Sequence, residues 1–263
     1  MRKFFAIRTK INLKIFNALA AGVFLLILIL WMVLSEQGSI SPIFLPTPRS
    51  VFGYLANVMT TGQIWSDIGI SFYRIFMGFI LAAVIGIPLG ILAGTFNFAE
   101  ALIQPVSEFI RYMPVPAFVP LIMVWVGINE SAKIAVIFLG TLFQLIPMVA
   151  DSVRAVPDDL LSAAYTLGAK PRTVILKVII PAIAPRTMDT LRIMMGWAWT
   201  YLVVAELVAA NSGLGYSILK AQRFLKTDAI FGGILIIGFL GLMTDRLFVL
   251  ANRKLFPWAE GGS

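Results

Sequence analysis

Repeated windows of roughly 17 to 20 apolar, nearly uncharged residues match the hydrocarbon core of a bilayer, about 30 Å thick, and constrain this chain more than any other feature. Five read as single helices, at about 16–34, 70–94, 133–150, 187–209 and 229–251. A sixth, ending near Ile128, is interrupted. In lipid every backbone N–H and C=O must be satisfied within the protein, so spans of this length are helices. Segments of alternating polarity, which a membrane β-barrel needs, are absent. The expected fold class is an all-α polytopic membrane protein with six transmembrane helices. At 59% hydrophobic residues the chain exceeds the roughly one half of soluble domains.

The chain has no histidine and no cysteine. That removes zinc and haem sites built on those ligands, thiol nucleophiles, Ser-His-Asp chemistry, iron–sulfur clusters and disulfides. The adjacent acids Asp158 and Asp159 fit a helix start better than a metal or acid–base pair. With no G-x-x-x-x-G-K-[ST] phosphate loop either, the reading is a non-enzyme that binds no cofactor of its own. The net charge of +8 reads as membrane topology, since neither RNA-stacking motifs nor a basic soluble domain accompanies it.

Residues 1–15 carry Arg2, Lys3, Arg8, Lys10 and Lys14 without an acid, a cytoplasmic signature. The apolar run after them is too long for a signal-peptide core and reads as a retained helix. SPIFLPTPRS then reads as an extended outer stretch, with a short surface helix over Ser50–Gly62. Span two carries Gly78, Ala82, Gly86, Gly90 and Gly94 at four-residue spacing, a stripe that lets two helix backbones approach closely. It serves packing within one subunit or an interface between two. Pro88 should kink that span. In span three Glu108 and Arg111 are one turn apart, and Pro114, Pro116 and Pro120 predict two helical pieces joined by an elbow. Arg154, Lys170, Arg172, Lys177, Arg186 and Arg192 place the central segment 151–185 inside; Lys220, Arg223 and Lys226 are the outer exceptions. Both termini are then cytoplasmic. The expected organisation is a basic stretch 1–15, one six-helix domain 16–258 and a tail 259–263, with the final Gly-Gly-Ser read as appended sequence.

The segment 151–185 reads as a capped helical hairpin. Pro157 suits the first helical position, Asp158 and Asp159 complement the positive helix end, and Gly168 terminates the helix in a left-handed conformation. This predicts a helix over 157–167 with Leu160, Ala164 and Leu167 as an apolar stripe and Ala163 beside it. Such a surface lets another protein approach the backbone, and Ala164→Asp or Gly168→Trp would crowd it. Pro171 starts a second short helix that Pro181 and Pro185 should interrupt before span five.

SAAYTLGAKPRTVILKVIIPAIAP resembles the EAA loop in permease subunits of ATP-binding-cassette importers. Ser162, Ala163 and Ala164 stand at the triplet, Gly168 at its glycine and Ile180-Pro181 at the later step; Ser162 replaces the glutamate that names the loop. LPTP, SFYRIFMGF, GIPLGILAG, RYMPVPAFVPL, GWAWTYLVVAE and GLGY extend the resemblance over about 42–258. They are similar to the branch that imports taurine, alkyl sulfonates, nitrate or bicarbonate. The resemblance implies a type I importer permease fold with a cytoplasmic coupling helix, in a bacterial plasma membrane. It implies a second permease copy, two ATPase subunits that hold ATP and Mg, and a periplasmic or surface-anchored substrate-binding protein. Leu160, Ser162, Ala163, Ala164, Leu167, Gly168 and Arg172 would form the ATPase-docking surface.

Polar groups inside apolar spans are candidates for a pathway, because exposing them to lipid is costly. Tyr112, Gln144, Trp199, Thr200 and Glu206 stand out. Glu206 also suits a tie between the end of span five and the GLGY loop. Arg74 and Arg111 are suited to steering an anion, to anchoring a helix, or, for Arg111, to pairing with Glu108. The competing reading is an ion-coupled secondary transporter, which needs titratable groups near mid-membrane and commonly shows internal repeats.

Overall fold

A computed structural model describes residues 12–38 and 40–262. Arg2, Lys3, Arg8, Lys10 and the terminal Ser263 lie outside the described residues. The chain divides into two compact units.

The smaller unit holds the described residues up to Thr61 together with Lys220–Gly232. Its first helix, α1 (Leu13–Glu36), is apolar and exposed along nearly all its length, as a helix left to lipid would be. The Pro-rich stretch after it ends in α2 (Pro48–Thr60). Thr47 caps that helix by accepting from the Ser50 N–H at 3.2 Å, and Pro48 enters at the first turn with its φ already helical. The Trp31 indole donates to the Pro46 carbonyl at 2.9 Å and stacks on Phe231. The Thr227 hydroxyl donates to the Ile43 carbonyl, so the stretch before α2 is held at both ends.

The larger unit contains α3 (Gln63–Thr95), α4 (Asn97–Arg111), α5 (Val115–Val126), α6 (Glu130–Arg154), α7 (Asp158–Thr166) and α8 (Pro171–Val174). A π-helical turn over Ile175–Ile179 leads into α9 (Ile180–Ala209). The unit also takes in the start of α10 (Leu214–Arg223) and most of α11 (Thr227–Leu255), which ends in a 3-10 turn over Pro257–Gly262. Its central helix is α6, packed against α3, α4, α5 and α9.

The small-residue stripe explains that centre. A Cβ added at Gly78, Gly90 or Gly94 would fall 2.8, 2.6 or 2.6 Å from the Cβ of Ile137, Val149 or Val153, closer than carbon atoms can pack. The stripe is therefore spent on contact between α3 and α6 within one chain. α3 runs unbroken through Pro88.

The same contacts set the direction of the chain. Successive glycines of α3 meet successively later residues of α6, so the two helices are parallel. The chain between them must return to its starting side. α4 and α5 make that return, bent by 103° at Tyr112–Pro114: Glu100 of α4 pairs with Arg154 at the end of α6, while Val119 and Ile122 of α5 pack on Ala132 and Val136 near its start. The broken segment thus counts as a crossing, and with five continuous helices long and apolar enough to span the total among the described residues is six. α9 runs antiparallel to α6, with Ile183 near Val153 and Ala205 near Val136. Arg192 of α9 pairs with Asp245 of α11, and Asp189 accepts from Asn252, so α11 is antiparallel to α9.

Three local expectations change. Pro157 stands just before α7 instead of inside it. Only the elbow at 112–114 breaks span three; Pro116 enters the first turn of α5 and Pro120 lies within it. Pro181 and Pro185 do not interrupt the entry to span five. The wide turn Ile175–Ile179, in which the Ile180 N–H bonds to the Ile175 carbonyl, shifts the hydrogen-bond register just before Pro181 and makes room for its ring.

Candidate coupling surface and transport pathway

The hairpin presents two faces. Leu161 and Ala164 turn inward on Val153, Val156, Val174, Ile179 and Ile183. Leu160 and Leu167 face outward at 48% and 88% exposure, beside exposed Ser162, Ala163 and Tyr165. Ala164 thus belongs to the inner face, four residues before a left-handed Gly168 at φ +77°. Ala164→Asp and Gly168→Trp would strain the hairpin itself, so the two leucines are the cleaner probes of this surface. The Gly168 N–H bonds to the Tyr165 carbonyl and the Ala169 N–H to that of Ala164, which closes the helix end. Arg172 is exposed at the start of α8. Burying a leucine side chain contributes about 1.5–3 kcal/mol, so the outer face gains from a protein partner.

The opposite end of the unit is locked by Arg74, which is fully buried. Its Nε and Nη2 donate to the two Glu130 oxygens at 2.5 and 2.9 Å. Nη1 donates to Glu206 Oε1 at 2.6 Å and to the Ser212 carbonyl at 2.8 Å, and Nη2 also donates to Ser212 Oγ. All five guanidinium donors are used. Glu206, equally buried, accepts from Ser71 Oγ at 2.7 Å and from the Gly215 N–H at 2.7 Å. Asp67 accepts from the Gly213 N–H and the Ser217 hydroxyl. Lys133 donates to Glu130 at 2.8 Å, so two cations face two glutamates. Gly213 has φ +108°, and a Cβ there would run into the Glu206 carboxylate. SFYR, far from the other two in sequence, meets VVAE and GLGY in this one cluster. Ser71, Asp67 and Glu130 escaped sequence reasoning; a lone arginine in an apolar span, which needs acids to neutralise it, was the available signal.

The pathway candidates separate. Trp199 is 4% exposed, donates from its indole to Thr244 Oγ1 at 3.2 Å and meets the Phe72 ring edge-on. Trp199 and Glu206 therefore pack and tie the helices together and line no open surface. Thr200 lies on an exposed face of α9 with Ile193, Gly196 and Trp197. Tyr112 is 77% exposed at the elbow. Gln144 lines a cavity of about 260 Å³ beneath that elbow, together with Arg111 and Tyr201. Arg111 does not pair with Glu108, because the Gln104 amide donates to Glu108 at 2.9 Å; Arg111 donates instead to the Tyr112 hydroxyl at 3.0 Å.

Residues 86–257 match the family model described as the binding-protein-dependent transport system inner membrane component. Among curated proteins, the chain is 36% identical to a putative aliphatic sulfonates transport permease protein of Bacillus subtilis, over 88% of this chain and 84% of that protein. It is 32% identical to the taurine transport system permease protein of Escherichia coli, over 91% of this chain and 89% of the relative. Among solved structures, the MetNI methionine ABC transporter in an inward-facing conformation aligns at a TM-score of 0.57 and 20% identity, covering 73% of this chain and 95% of that one. At that identity the likeness is one of fold.

Proposed function

We propose, from the premise that this chain belongs to the family of inner membrane components of binding-protein-dependent transport systems, that it is the pore subunit for a small solute with an anionic head, such as zwitterionic taurine, an alkyl sulfonate, nitrate or bicarbonate. The two relatives above carry sulfonate and taurine names, and this motivates the substrate class. ATP and Mg reside on two ATPase subunits bound at the hairpin end, and two identical permease chains form the pore. A periplasmic or surface-anchored binding protein delivers substrate at the Arg74 end.

The orientation follows from charge. The hairpin end carries Arg154, Lys170, Arg172, Lys177 and Arg186, so it faces the cytoplasm of a bacterial plasma membrane. α11 ends on that side, since Arg192 and Asp189 of α9 meet Asp245 and Asn252 of α11. An ion-coupled carrier would need a free titratable group in mid-membrane, whereas the Glu206 carboxylate is engaged by Arg74, Ser71 and Gly215.

The observation that carries the coupling role is the outward face of α7. Only Ala155–Pro157 separate α7 from α6, and its inner residues pack on the base of α9. A pull on Leu160 and Leu167 is therefore delivered to α6 and α9, two of the four helices that line the elbow cavity. ATPase closure shifts the pore only through contacts that differ between its two states, and these leucines would supply them. The double substitution Leu160→Glu with Leu167→Glu is expected to lower copurification of the ATPase in mild detergent by about tenfold or more, as losing two buried leucines implies, with the permease still monodisperse. Retention of stoichiometric ATPase by that variant would defeat the coupling assignment.

A further inference from the structure

Arg111 closes α4 at the elbow and lines the 260 Å³ cavity with Gln144 of α6 and Tyr201 of α9. Its Nε is buried without a hydrogen-bond partner. No carboxylate pairs with it among the described residues, and Tyr112 holds its other edge, with the cation 4.9 Å from the ring centroid. The Gln144 amide and the Tyr201 hydroxyl likewise have no partner among the described residues. An unneutralised cation inside a membrane span is costly and marks a site where an anion is expected. Gln144 stands near the middle of α6, so the three groups converge at mid-depth.

The rest of the wall is apolar, with Phe118, Ile122 and Phe143 facing the same space. No acid lines it, so an ammonium group brought inside would go unpaired, which is expensive in a low-dielectric site. A bare inorganic anion would leave the aromatic wall unfilled. The volume lies below the roughly 300–1,000 Å³ of drug-sized sites. Resting on the anion-import reading above, we infer that this cavity is a transient binding station for an organic monoanion with an oxyanion head and a short, uncharged apolar tail. The head takes Arg111 and Gln144, and the tail lies on Phe118, Ile122 and Phe143. An unsubstituted alkane sulfonate fits this description and taurine does not, so the pore adds a selection of its own to that of the binding protein.

The test uses the whole transporter, permease with its ATPases and binding protein, in proteoliposomes charged with ATP. Uptake of butanesulfonate, octanesulfonate, taurine and nitrate is measured. Arg111→Met is expected to reduce butanesulfonate uptake at subsaturating concentration about tenfold or more, the scale of a lost charge-assisted hydrogen bond, and Arg111→Lys to restore part of it. Phe143→Ala cuts back the apolar wall and enlarges the space for the tail, and should raise the octanesulfonate-to-butanesulfonate ratio several-fold. Both variants keep the same binding protein, so a changed ratio belongs to the pore. Unchanged uptake and ratio in Arg111→Met and Phe143→Ala overturn the inference and leave anion import standing. A loss with Arg111→Met and no shift with Phe143→Ala makes Arg111 structural and overturns it too. Wild-type transporter that carries taurine or nitrate better than butanesulfonate overturns the substrate class. Uptake of none of the four removes both this inference and the anion-import reading.

Discussion

Arg74→Met is expected to yield little monodisperse protein, with a thermal midpoint in mild detergent well below that of the wild type. Breaking a buried ion pair from one side costs about 3–5 kcal/mol, because the partner charge is left uncompensated. Here that partner is Glu206, which no solvent reaches. Glu130 tolerates the loss better, being partly exposed and still paired with Lys133. Neutralising the stranded acid should therefore recover part of the midpoint, so Arg74→Met with Glu206→Gln is expected to be the more stable of the two. Arg74→Lys should not rescue, since an ammonium offers three donors where five are used. A wild-type midpoint for Arg74→Met would mean that the cluster contributes no stability.

Gly90→Ala combined with Gly94→Ala is the second large effect. The added carbons would lie 2.6 Å from the side chains of Val149 and Val153, and 2.8 and 2.7 Å from the backbone carbonyls of Ile146 and Ala150. Backbone cannot step aside as a side-chain tip can, so α3 and α6 must separate along half their length. Overpacking one site costs about 1–3 kcal/mol, and this pair opens the main helix contact of the larger unit. A sharp fall in thermal midpoint and yield is expected, while Gly69→Ala on the same helix, with open space around it, should be near neutral. Equal midpoints for the double variant and Gly69→Ala would show that α3 and α6 do not depend on close approach.

Local chemistry was readable wherever neighbours in sequence decide the outcome. Thr47 and Pro48 start α2, Gly168 takes a positive φ at the end of α7, and the break in span three falls beside Pro114. Reading by local rules failed where a distant or non-standard partner intervened. Two prolines near the start of span five look like a break, yet one wide turn makes room for the first. Glu108 and Arg111, three apart, have the spacing of a pair, yet Gln104, four residues before Glu108, is also one turn away and takes the glutamate. Trp199 looked like a pathway group on depth alone, whereas Glu206 makes the expected tie to the GLGY loop through the Gly215 N–H; depth says how costly a polar atom is in lipid and nothing about which neighbour satisfies it.

Hydropathy, caps and the small-residue stripe by themselves determined an all-helical membrane protein, its spans and its hairpin. They suffice because a bilayer penalises every unsatisfied backbone group, which makes span and helix nearly the same statement. Tertiary structure decided which helices the glycines join, that α3 and α6 are parallel, and that the elbow is a true crossing. It also decided that Arg74 is neutralised while Arg111 is not. Those outcomes depend on groups brought together from positions far apart in the chain, and helical periodicity carries no information about which residue of another helix will stand opposite.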